Sequence, residues 1–127
     1  MTRHIVSIYT FLICVCALLS AAAISCDNSK RMETLARVQK TFDKNPELAL
    51  EMLDSIDPAH LKGKEETAKY GLLKFASLLK AGADVESDSL LLPAIDYYGS
   101  SSSPSHEKML THFFYAYHLQ QKEEKLQ

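Results

Sequence analysis

The chain has no tryptophan, only three cysteines among its 127 residues, and no cluster of basic residues. Three cysteines cannot make a disulfide framework, and Cys14 and Cys16 sit in an apolar run where their role is hydrophobic filling. Lysine and arginine are scattered, Lys62 and Lys64 among them, so no basic face is offered to nucleic acid. No stretch alternates apolar and polar residues, which argues against strands. Catalytic signatures are missing as well. There is no glycine-rich phosphate loop, and serines 100–103 have no nucleophile-elbow context. His60, His106, His112 and His118 never fall three or four apart; His112 and His118 lie about 240° apart around a helix and cannot clasp one metal. Glu65-Glu66 and Glu123-Glu124 are adjacent, so they splay on a helix and read as solvated faces. The expectation is a protein that is not an enzyme and holds no cofactor or metal.

The amino terminus is distinctive in what it leaves out. No charged residue occurs from Ile5 to Cys26, and all 16 acidic residues lie from Asp27 onward. Arg3, with His4, supplies a short positive start. Ile5 to Leu19 is apolar, and residues 20–25 are mostly small. That is the layout of a secretory signal. The run ends in Ala23-Ile24-Ser25-Cys26, which resembles the lipobox of bacterial lipoproteins. The resemblance implies a signal peptide over residues 1–25, removed after diacylglycerol is joined to the thiol of Cys26. Palmitate-type acyl chains on the new first residue then hold the protein in the cell envelope, each buried CH₂ adding about 0.8 kcal/mol. Neither membrane of the envelope is singled out by these residues. Two other readings fit the same stretch: an uncleaved anchor, since it is about long enough to span ~30 Å of hydrocarbon as a helix, and ordinary secretion with cleavage near Ala23.

Removing residues 1–25 leaves 102 residues with 13 Lys+Arg against 16 Asp+Glu, a formal charge of −3 and one small domain with a modest core. Asp27 to Lys30 reads as a polar tether, completing a lipidated segment over residues 26–30, and residues 31–127 as the folded part. Five helical stripes follow. Met32, Leu35, Val38 and Phe42 mark the first. Asn45 caps the second, which opens with Pro46, carries Leu48, Ala49, Met52, Leu53 and Ile56, and stops at Asp57-Pro58. The third is expected over residues 64–81, with Ala68, Leu72, Phe75, Ala76 and Leu79 facing the core. Gly71 costs it up to ~1 kcal/mol but permits close approach, and Gly82 is a left-handed stop. The fourth is expected over residues 87–98 with Leu91, Ala94, Ile95 and Tyr98 on one side. There Pro93 requires either a start nearer Leu90 or a bend. The last, over residues 104–125, opens with Ser103 as cap and Pro104 behind it. Phe113, Phe114, Tyr115 and Tyr117 cover most of its circumference, so a cover is expected on more than one side.

Helix pairs joined by short turns, with small residues where they meet, are features of a tetratricopeptide-like solenoid. Pro46 to Ile56, Glu66 to Leu73, Ser87 to Leu90, Pro93 to Tyr98 and the aromatic run before Ala116 resemble the amino-terminal region of tetratricopeptide-repeat lipoproteins and sensor-regulators of Gram-negative gut-type bacteria. The resemblance covers nearly the whole mature chain. It departs from the repeat consensus in lacking tryptophan and in placing Ala116 where glycine is usual. It implies an all-α fold: antiparallel helix pairs in a right-handed solenoid fragment, incomplete at its carboxyl end. It also implies a scaffold that binds a protein or peptide partner at the membrane. Phe113, Phe114, Tyr115 and Tyr117 are then candidates for contact with a partner or with a neighbouring repeat. A truncated remnant, or the sensory input domain of a longer regulator whose output domain is elsewhere, is the alternative.

Overall fold

A computed structural model describes the backbone of residues 2–127 and the side chains of residues 2–17 and 27–127. The fold is all-α, with no strand among the described residues. The helices are α1 (Thr2–Thr41), α2 (Pro46–Asp54), α3 (Gly63–Lys80), α4 (Leu92–Gly99) and α5 (His106–Leu126), with a short 3₁₀ turn at Pro58–His60. Two compact units divide the chain, Met1–Arg31 and Met32–Gln127. In the first, the side chains of residues 2–17 are all exposed, including Ile5, Phe11 and Ile13. Among the described residues, no helix is long and apolar enough to cross a membrane. Asp27 to Lys30, expected as a tether, falls within α1. Nothing there stops a helix: the four residues contain neither proline nor glycine, and extending a formed helix is far easier than starting one.

The second unit is built around α3, which packs against α2, α4 and α5, while α4 also packs on α5. Leu35 and Val38 on α1, Leu53 on α2, Leu72, Leu73 and Phe75 on α3, and Leu91 before α4 are all essentially inaccessible. Phe42, just past α1, meets Phe114 of α5 edge-on at a centroid distance of 6.4 Å, and Phe75 meets the same ring at 6.5 Å. Three aromatic rings from three parts of the chain therefore share the middle of the core. Such edge-to-face pairs add about 0.5–1.5 kcal/mol each beyond their burial.

Local chemistry sets the ends of these helices. The Asn45 side chain accepts the Leu48 N–H at 3.1 Å, so α2 starts at Pro46 as its residues require. At the far end of α3, Gly82 takes φ +82°. Its N–H reaches the Leu79 carbonyl at 3.1 Å, and the Ala83 N–H reaches that of Leu78 at 2.9 Å, a Schellman closure. Helix α4 begins at Leu92 and not near Ser87. Pro93 therefore lies in the first turn, where its missing N–H leaves no bond unmade. Ser105, in place of Ser103, caps α5, its hydroxyl accepting the Lys108 N–H at 3.1 Å.

Three expectations about burial are corrected. Leu48, placed on the core stripe of α2, is exposed. The helix buried on more than one side is α3, and its burial takes in Glu66, Tyr70, Gly71 and Ser77 besides the expected stripe. It has neighbours all round, whereas α5 lies at the margin and buries only one face. Glu66, read as part of a solvated pair, is 2% exposed, and its carboxylate accepts the backbone N–H of Lys62 at the start of α3.

Candidate functional site

Helix α5 carries two faces with opposite fates. Thr111, Phe114 and His118 point inward and are buried. Met109, Phe113 and Tyr117 recur every four residues on the other side and are 59%, 60% and 41% exposed. A helix advances about 100° per residue, so positions four apart share a face and neighbours do not. Of the four aromatic residues proposed from sequence as contact candidates, Phe114 is withdrawn: at 4% exposure it is a core residue. Tyr115 is half-buried against the same core. Phe113 and Tyr117 remain on the open stripe. Tyr97 and Tyr98 divide in the same way, Tyr98 buried and Tyr97 exposed, with ring centroids 5.0 Å apart. Burial, with Glu107 and Glu65 nearby, raises the Tyr98 hydroxyl well above its ordinary range.

The second feature is a cavity of about 590 Å³ between the carboxyl-terminal half of α5 and the loop that follows α3. Leu79 and Val85 supply apolar wall, Tyr117, His118 and Gln121 the α5 side. An ion pair marks its rim: Lys125 Nζ lies 2.5 Å from Asp84 Oδ1. That hydrogen bond holds the Lys125 ammonium above the ordinary lysine range. Lys122 faces Asp88 at 4.0 Å. His118 is the deeply buried polar residue of the wall, 2% exposed, with its ring edge-on to Phe75 at 5.4 Å. Its Nε2 has no hydrogen-bond partner among the described residues. Sequence reading says of His118 only that it cannot share a metal with His112. The signal that finds it is spacing: it follows Thr111 by seven residues and Phe114 by four, on the inward stripe.

A charged cluster completes the picture. Glu107 Oε1 lies 3.7 Å from Lys69 Nζ and accepts a bond from Gln39 at 3.4 Å, joining α5 to α3 and α1. Burial works to raise its pKa, but its own backbone N–H, Gln39 and Lys69 outweigh that and hold it below the ordinary glutamate range. Lys62 and Lys64 are solvated, as are His60, His106 and His112, and no group of three metal-ligating side chains converges among the described residues. Cys26, the lipidation candidate, has its side chain outside the described residues. Compared with known protein families, curated proteins and solved structures, the chain matches none.

Proposed function

We propose that the protein is a lipoprotein of the cell envelope, held at the membrane by acyl chains on Cys26, whose tetratricopeptide-like helices bind a protein or peptide. The observation that carries the binding half is the Met109, Phe113 and Tyr117 stripe. It sets large apolar side chains in solvent on a helix whose opposite face is firmly packed. The two rings of the stripe, Phe113 and Tyr117, lose little side-chain freedom on contact, and Met109 adapts its shape to whatever covers it, which suits a partner surface. The anchoring half rests on the charge-free run that ends in Ala23-Ile24-Ser25-Cys26 and on the exposed apolar side chains of residues 5–15. Small residues at the helix contacts, Ala68, Gly71 and Ala76, support the repeat-like reading. The same stripe favours a second reading, the input region of a longer helical-repeat regulator, in which the next repeat stacks where a partner otherwise sits.

Metabolic labelling with palmitate tests the anchor. The chain is expected to take up label and to lose both label and membrane association as Cys26→Ala. Label that survives the substitution refutes the site. A photo-crosslinking residue at position 113 tests the surface in the native cell. Capture of one discrete partner from position 113, and none from exposed position 48, is the expected result. Equal yields at the two positions would remove the argument for the stripe.

A further inference from the structure

The open face of α5 carries an order of residues that is complementary to its own reverse. His106, Met109, Phe113, Ala116, Gln120 and Glu123 are all exposed and follow one another at intervals of three and four residues. That alternation keeps one seam along a helix, and it is the spacing by which two helices pack side by side. From its amino end the seam runs basic, apolar, large, small, amide, acidic. Its apolar centre stays in solvent, with Met109 and Phe113 each more than half exposed.

A second α5 running antiparallel meets this order with its complement. Phe113 then faces Ala116 of the second copy, Met109 faces Gln120, and His106 faces Glu123. All three pairs straddle the same midpoint, between Phe114 and Tyr115, so each forms twice about one two-fold axis. A ring opposite a methyl group fills the space evenly, where ring against ring would clash and alanine against alanine would leave a gap. At either end an imidazole N–H donates to a carboxylate, and protonation of the imidazole strengthens that bond. Parallel pairing would instead set Glu123 against Glu123 and Phe113 against Phe113, which like charge and equal size both oppose.

We propose that the partner of the α5 stripe is a second copy of this chain, bound antiparallel along the His106–Glu123 seam. The inference rests on the stripe being a binding surface and names what it binds. Tyr117 flanks the seam and covers its edge. A single helix face is a small interface, so free chains associate weakly. Holding both copies on one membrane raises their effective concentration and makes the pair form.

The test uses the full chain with Cys14, Cys16 and Cys26 replaced by serine, held on phospholipid vesicles by an amino-terminal polyhistidine tag and a nickel-chelating lipid. Attachment is then independent of Cys26. Two exposed positions receive a cysteine, Met109→Cys in one population and Gln120→Cys in another, and the vesicles are oxidised. The mixture is expected to give a disulfide-linked dimer, while either population alone gives almost none. In the antiparallel pair, identical positions 109 and 109, or 120 and 120, lie about 16 Å apart along the axis, beyond the reach of a disulfide. Leu48→Cys mixed with Gln120→Cys should give no dimer. Ala116→Arg, added to both populations, sets two cations at the centre of the seam and should cut the yield by about tenfold or more. The proposal is overturned by any of three results: no dimer from the mixture, equal yields from one population alone, or a yield that Ala116→Arg leaves unchanged. The comparison of mixed with single populations decides the matter even if Ala116→Arg does not fold. No mixed dimer together with capture of a different protein from position 113 in the cell overturns the second copy alone, whereas no capture of any kind removes the binding surface as well.

Discussion

Replacing Gly71 with alanine is expected to destabilise the helical unit, against the direction that helix propensity alone would give. Alanine in a helix interior is favoured over glycine by up to about 1 kcal/mol. A Cβ built on Gly71, however, lies 2.1 Å from the backbone carbonyl oxygen of Leu90 and 3.2 Å from its carbonyl carbon. That is more than an ångström short of the 3.4 Å at which ordinary contact begins. The obstacle is backbone, so no rotamer change relieves it. Either α3 moves away from the link before α4, or Leu90 shifts and carries Leu91, a fully buried residue, with it. Overpacking of this kind costs about 1–3 kcal/mol, and more where backbone must yield. A net loss of about 2 kcal/mol is expected, which lowers Tm by about 10 °C for a unit of this size. Urea and thermal unfolding of residues 27–127, followed by circular dichroism, provide the measurement and should show one cooperative transition. Two comparators isolate the cause. Gly99→Ala places its Cβ 3.9 Å from Ile95 Cγ2, an ordinary contact, and should be neutral or mildly stabilising. Gly82→Ala has open space but a φ of +82°, and should cost about 1 kcal/mol from backbone strain alone. A Gly71→Ala protein as stable as the parent, or more stable, refutes the close approach of Leu90 to α3.

The two faces of α5 predict opposite outcomes for adjacent aromatic residues: Phe114→Ala should lose about 3–5 kcal/mol through the cavity left between Phe42 and Phe75. Phe113→Ala should stay within about 0.5 kcal/mol of the parent in the same urea titration; equal losses would contradict the assignment of faces. Glu107 predicts a pH dependence. Its folded pKa is depressed, so its stabilisation is fully present above the ordinary glutamate pKa of 4.5 and is lost as pH falls through the lower folded value. Glu107→Gln should therefore flatten the acid limb of stability below pH 4.5, seen as urea midpoints that change less between pH 5 and pH 3; an unchanged acid limb would remove the Lys69–Glu107–Gln39 cluster from the explanation.

The sequence was most legible where one residue acts on its own backbone. Asn45 before Pro46 reads as a cap because its side chain can meet the N–H three residues on, and it does so. Gly82 reads as a stop because glycine tolerates positive φ, and it adopts it. Misreadings arose where two such signals competed a few residues apart. Ser103-Pro104 and Ser105 both suit the start of α5, and the chain uses Ser105. The inward stripe of α5 was hidden by the aromatic run. Phe113, Phe114, Tyr115 and Tyr117 are all large and aromatic, so composition cannot tell which of them meets Phe42 and Phe75.

The sequence by itself determined that the chain is helical and roughly where α2, α3 and α5 begin and end, and its missing charge set the first 25 residues apart. Those properties arise within a turn or two of backbone, where hydrogen bonds and side-chain spacing are local. Tertiary structure alone decided that α3 lies at the centre and α5 at the margin, that Gly71 sits against the Leu90 carbonyl, and that His118 is sealed beside a cavity. Burial belongs to pairs of surfaces brought together from distant parts of the chain, and a stripe on one helix does not say which neighbour will cover it.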